Sequence, residues 1–122
     1  MRDKCILPFL ITERLEFFQL TQADLPELEI LLGDPEIMYA WEHGFTKIES
    51  QAWLNENLRR YSSDGYSYWA VRKKNDGSLI GVMGILKEVA EGKQYIGIGY
   101  ILNKKYWGQG YAGEGTAALC QY

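Results

Sequence analysis

The stretch Tyr106-Trp107-Gly108-Gln109-Gly110-Tyr111-Ala112-Gly113-Glu114 sets glycines and small residues where an extended segment is expected to turn into a helix. The first N–H groups of a helix have no intrahelical partner and sit at the positive end of the helix dipole, so they converge on an anion without needing a lysine. Gly108, Gly110 and Gly113 allow positive φ or a close approach of backbone to ligand, and Ala112 adds little bulk where the helix opens. The chemistry implied is main-chain binding of a phosphate group. The spacing lacks the terminal Gly-Lys-Ser/Thr of a nucleotide-triphosphatase loop, and also the three-glycine fingerprint and downstream acid of a dinucleotide fold. Another diphosphate ligand is therefore expected; the alternative reading of the segment alone is a helix-capping turn with no ligand.

Other reactive side chains are sparse. Cys5 and Cys120 are the only cysteines and His43 the only histidine, with no metal-ligand spacing among them, so no metal site is expected and the thiols are read as reduced and incidental. Lys104 and Lys105 stand just before the glycine loop, close enough in sequence to neutralise phosphate charge, although solvated turn lysines are as common. A formal charge of −3 over 122 residues argues against broad nucleic-acid binding, which relies on clustered Lys and Arg. The apolar run near the N-terminus is short and broken by Pro8, and no segment approaches the ~18 apolar residues of a membrane span. A cytoplasmic location without membrane partners is expected.

These residues must be positioned by a fold with an ordinary globular composition, 47% hydrophobic and 24% charged, in which one domain with its own core is expected. Residues 11–20 read as a first strand whose centre is buried on both faces. Thr21 and Asp24 have the spacing of a capping box, followed by Leu25, Leu28, Leu31 and Leu32 at helical spacing and a stop at Gly33-Asp34-Pro35. Thr46 and Glu49 repeat the device before a helix of about four turns that ends near Ser62-Ser63-Asp64-Gly65. Residues 66–72, 78–89 and 94–102 read as an antiparallel meander, turned at Asn75-Asp76-Gly77 and at Glu91-Gly92, where Asn, Asp and Gly tolerate positive φ. Residues 116–122 read as a helix after the glycine loop. The expected class is α/β, of the α+β kind: a mixed, mainly antiparallel sheet with flanking helices in the order β-α-α-β-β-β-α.

Tyr106 to Ala112, preceded by Ile98-Gly99-Tyr100-Ile101-Leu102 and opened far upstream by Thr12-Glu13-Arg14-Leu15, resembles the GNAT superfamily of acetyl-CoA-dependent N-acetyltransferases. Within it, the chain looks like the branch that includes the ribosomal-protein N-terminal acetyltransferases. The resemblance implies that residues 1–122 form a single, partial GNAT domain, lacking the family's usual C-terminal strand, helix and hairpin. A truncated chain or a natural short form is the corresponding expectation.

The resemblance also implies a cosubstrate, acetyl-CoA, whose pantetheine arm pairs with the strand at 95–102. Ile101, Leu102 and Asn103 would offer main-chain groups to it, and the amides of Gly108, Gln109, Gly110, Tyr111, Ala112 and Gly113 would receive the pyrophosphate. Trp107 would pack the loop against the sheet. The implied reaction is direct attack of an amine, from a protein N-terminus or a small molecule, on the thioester, with no metal and no covalent enzyme intermediate. Relatives often place a Glu where this chain has Gly97, and their general-acid Tyr lies in a fourth helix. Glu42 and His43 fall in a loop that borders the acceptor pocket in relatives; a proton relay there is one reading, and a surface or packing histidine is the other. Tyr39, Trp41 and Phe45 would line that pocket or the core. A non-catalytic acetyl-CoA-binding module is the alternative function, and a homo-oligomer that lends strands across an open sheet edge is a third possibility.

Overall fold

A computed structural model of the chain describes residues 8–39 and 43–121. Five strands lie side by side in chain order, every neighbouring pair antiparallel: β1 (Leu10–Ile11), β2 (Leu15–Gln19), β3 (Tyr68–Lys73), β4 (Leu79–Ala90) and β5 (Lys93–Leu102). Three helices flank the sheet: α1 (Leu25–Leu32), α2 (Lys47–Ser63) and α3 (Tyr111–Cys120).

Alternation along the strands sorts apolar side chains onto two faces. Phe18, Tyr68, Ala70, Val82 and Ile101 join Leu28, Leu32 and Leu54 in the core under α1 and α2. Phe17, Trp69, Val71, Met83 and Leu102 join Tyr111 and Leu119 under α3. The centre of the sheet is thus buried on both sides, as the uninterrupted apolar character of residues 68–71 requires, while most of β5 is exposed.

Local chemistry sets the boundaries. Thr46 Oγ1 accepts from the Glu49 N–H at 3.1 Å while the Glu49 carboxylate accepts from the Thr46 N–H at 2.9 Å, so α2 begins on the expected capping box. Glu91 and Gly92, at φ 52° and 76°, form a two-residue hairpin loop of the twist that joins antiparallel strands tightly.

Four expectations change. The strand expected over 11–20 is two strands, because Thr12 makes a turn: its N–H donates to the Leu15 carbonyl and its Oγ1 accepts from the Leu15 N–H. The element order accordingly gains a strand, β-β-α-α-β-β-β-α. The third strand starts at Tyr68 rather than 66. The last helix starts at Tyr111 rather than 116, with Gly113 and Gly115 inside it. Gly115 costs helix propensity, yet no larger residue fits its close approach to the sheet. Cys5 lies outside the described residues, and Cys120 carries an exposed free thiol. Among the described residues no helix is long and apolar enough to cross a membrane.

Candidate functional site

The glycine loop does turn extended chain into helix. Gly108 and Gly110 adopt left-handed φ of 77° and 84°, and Gly110 is the residue on which α3 opens. These are conformations that a β-carbon disfavours. Gly113 is helical, so its lack of a side chain serves access and not a turn. The first intrahelical bond is the Glu114 N–H donating to the Gly110 carbonyl at 3.0 Å. The N–H groups of Tyr111, Ala112 and Gly113 therefore precede the helical ladder, at the positive end of its dipole.

Beside this loop lies a cleft of about 490 Å³. Of the nine residues expected to bind cosubstrate, it brings together Ile101, Leu102, Gly108, Gly110, Tyr111, Ala112 and Gly113; Asn103 and Gln109 are not in its lining. Ile37, Tyr100 and Tyr106 also line it, where sequence reasoning does not place them, and so does Tyr39, expected at the acceptor pocket or the core. Among the described residues no charged side chain lines the cleft, so an anion there is met by main-chain dipoles.

The register of β5 decides which main-chain groups face the cleft's open edge. Asn103 donates its N–H to Ile80 at 2.8 Å, in step with the Gly81–Leu102 and Val82–Ile101 pairs of the β4–β5 ladder. Main-chain groups alternate sides along a strand, so Ile101 turns the same way as Asn103, toward β4, whereas Leu102 and Tyr100 turn outward. Trp107 bears this out: its indole N–H donates to the Leu102 carbonyl at 2.8 Å and ties the loop to the strand. Asn103 is corrected here, because it is outside the cleft lining, its N–H is taken by the Ile80 carbonyl and its carbonyl already accepts from the Tyr106 N–H, leaving no free main-chain donor for a ligand. Ile101 contributes a side chain 3% exposed, packed in the core under α1 and α2.

Gln109 faces away from the cleft, held by the turn that follows β1. Its carbonyl accepts from Arg14 Nη1 at 3.1 Å. Arg14 Nε donates to Glu114 Oε1 at 2.6 Å, the Arg14 N–H donates to Glu114 Oε2 at 2.9 Å, and the Thr12 hydroxyl donates to the same oxygen at 2.5 Å. The Arg14 guanidinium also lies 4.2 Å from the centroid of the Tyr111 ring. Burial pushes the Glu114 carboxyl up, but the bonds from Thr12 and Arg14 outweigh it and hold the group below its ordinary value. The bond to Glu114 in turn pushes the Arg14 guanidinium up, so the pair stays charged.

The remaining candidates lie elsewhere. Lys104 is engaged by Asp34 at 3.2 Å and Glu36 at 3.3 Å, and Lys105 stacks its ammonium 5.3 Å from the Tyr106 ring, so neither lines the cleft. His43 Nε2 is 2.9 Å from Glu49 Oε2, on the capping box of α2 and exposed. Glu42 and Trp41 lie outside the described residues.

Known proteins share this fold. The protein YkkB of Bacillus subtilis (strain 168), itself uncharacterized, is 30% identical over 114 residues, 93% of this chain and 66% of YkkB. An acetyltransferase of the GNAT family from Bacillus anthracis superposes with a TM-score of 0.75 at 24% identity, over 93% of this chain and 64% of that one. RimL, a ribosomal L7/L12 alpha-N-protein acetyltransferase solved in complex with coenzyme A, superposes with a TM-score of 0.69 at 20% identity, over 95% of this chain and 66% of RimL. The superpositions show a shared fold, and the chain spans about two thirds of the length of these proteins. Residues 14–122 match the Acetyltransferase (GNAT) domain, and the chain belongs to that family.

Proposed function

We propose that the chain binds acetyl-CoA in the cleft between β5 and the start of α3 and transfers the acetyl group to a primary amine by direct attack. The acceptor is a protein N-terminus or a small-molecule amine. The reading treats residues 1–122 as part of one acetyltransferase domain, at work in the cytoplasm. Family membership and the coenzyme A complex of RimL support it.

Gly110 carries the assignment to this site: a left-handed residue opens α3 directly beside a cleft with no charged side chain among its described lining residues. The amides of Tyr111, Ala112 and Gly113 would hold the diphosphate, as helix-start donors do. The outward main-chain groups of Tyr100, and the N–H of Leu102, would take the pantetheine amides as an added strand does. Gly108 leaves the approach clear, since no atom lies within 4 Å of where its β-carbon would be. Acetyl-CoA supplies the activated acyl group when bound. His43, hydrogen-bonded to Glu49 outside the cleft lining, is a proton-relay candidate of this reading, with Glu42 beside it in sequence.

Calorimetric titration with acetyl-CoA, followed by thiol release with a panel of amines, tests the proposal. Binding with amine-dependent release is expected. Binding without release would favour a non-catalytic binding module, and no binding would end both readings.

A further inference from the structure

Arg14 and Glu114 stand 100 residues apart in the chain and meet beside the proposed diphosphate loop. β1 and β2 are already joined by their own ladder and by the Thr12 turn. α3 is already seated on the sheet by Tyr111 and Leu119. What the contacts add is control over one peptide. Arg14 Nη1 holds the Gln109 carbonyl at 3.1 Å. In a trans peptide the carbonyl oxygen and the following N–H point opposite ways, and the described chain has no cis peptide. Fixing the Gln109 carbonyl toward Arg14 therefore turns the Gly110 N–H away from Arg14. Gly110 lines the cleft and Gln109 does not.

The pairing also settles a charge. Glu114 sits in the first turn of α3, the end that is to receive an anion. An unpaired carboxylate there would repel a diphosphate. The guanidinium cancels it at 2.6 Å through Nε while its Nη1 holds the loop.

We propose that Arg14 and Glu114 are positioning residues for diphosphate binding: Arg14 aims the Gly110 N–H into the cleft as a further donor and neutralises the carboxylate that would oppose the ligand. This rests on the assignment of coenzyme A to the loop. A clamp serving only the fold would behave differently, because breaking it from either side would have the same consequence and would not discriminate among ligands.

The test measures coenzyme A affinity by calorimetry, and S-acetylpantetheine, which lacks the diphosphate, by chemical-shift titration. Both are applied to the wild type, Arg14→Ala, and Arg14→Ala with Glu114→Gln. Arg14→Ala is expected to weaken coenzyme A by about tenfold or more, as loss of a charge-assisted bond to the loop implies, while S-acetylpantetheine changes less than about twofold. Adding Glu114→Gln is expected to recover part of the loss, since the stranded carboxylate goes with it. Equal losses for both ligands, no loss for coenzyme A, or no recovery in the double variant would overturn the proposal. Should Arg14→Ala not fold, Arg14→Lys keeps the cation but not the fork, and must show a smaller loss that is still confined to coenzyme A. A wild type that binds neither ligand would instead overturn the assignment of the loop itself.

Discussion

Gly115 of α3 faces Met83 of β4 so closely that a β-carbon at 115 would stand 2.2 Å from the Met83 sulfur, with the Phe17 ring at 3.2 Å. Met83 and Phe17 are fully buried, so neither can move aside freely. Gly115→Val is expected to destabilise the protein by about 1–3 kcal/mol through overpacking. Two residues earlier the same helix predicts the opposite sign. Gly113 is exposed and helical, with nothing within 4 Å of a β-carbon, so Gly113→Ala should stabilise the ligand-free protein by about 0.5–1 kcal/mol. Urea midpoints at unchanged slope check both.

Gly110→Val should abolish acetyl-CoA binding while the fold survives. At φ 84° a β-branched side chain is strained by about 1–2 kcal/mol whatever space surrounds it. Relaxing that strain turns the peptides that open α3. Calorimetry should find no measurable heat, with far-UV circular dichroism close to wild type; a variant that binds as well as the parent would remove the loop from the site.

Arg72 lies 10% exposed on β3, between Asp24 at 3.0 Å and Glu27 at 2.7 Å, and ties the start of α1 to the sheet. Arg72→Met would leave the buried Asp24 carboxylate without its guanidinium and should cost about 3–5 kcal/mol. Combining it with Asp24→Leu should recover part of that loss, because the uncompensated charge then disappears. Equilibrium unfolding of the single and double variants reads the coupling.

Acid should loosen the contact between the β1–β2 turn and α3. The folded Glu114 carboxyl is held below its ordinary value near 4.5, so the unfolded chain binds the proton more readily. The stabilisation is therefore complete above that value and lost as pH falls through the lowered one. The stability difference between wild type and Glu114→Gln should be largest near neutrality and shrink below pH ~4.5. A difference constant from pH 7 to 3 would contradict the assigned bonds.

What the sequence reveals follows the range of the interaction. Thr46 with Glu49 is a four-residue device, and it starts α2 as its spacing predicts. Asn75-Asp76-Gly77 and Glu91-Gly92 are likewise local, and both fall at turns. Gly108 and Gly110 announce their left-handed conformations by type alone. The start of α3 is hidden because Gly113 and Gly115 lower helix propensity by about 1 kcal/mol each relative to Ala, while packing against Met83 and Phe17, far off in sequence, outweighs them. The break at Thr12 is hidden in a run that alternates like one strand. The Arg14–Glu114 contact leaves no local trace, since the two residues stand 100 apart and only the fold joins them. The assignment of Asn103 to the ligand turned on strand register, which one side of a hairpin does not reveal.

The central claim is that the main-chain amides opening α3 receive the diphosphate of acetyl-CoA, and amide chemical-shift mapping tests it most directly. On addition of coenzyme A, the largest downfield shifts are predicted for Tyr111, Ala112 and Gly113, with Gly110 beside them, and they should vanish in Gly110→Val. Shifts that leave residues 110–113 unmoved while the ligand binds elsewhere would contradict the account.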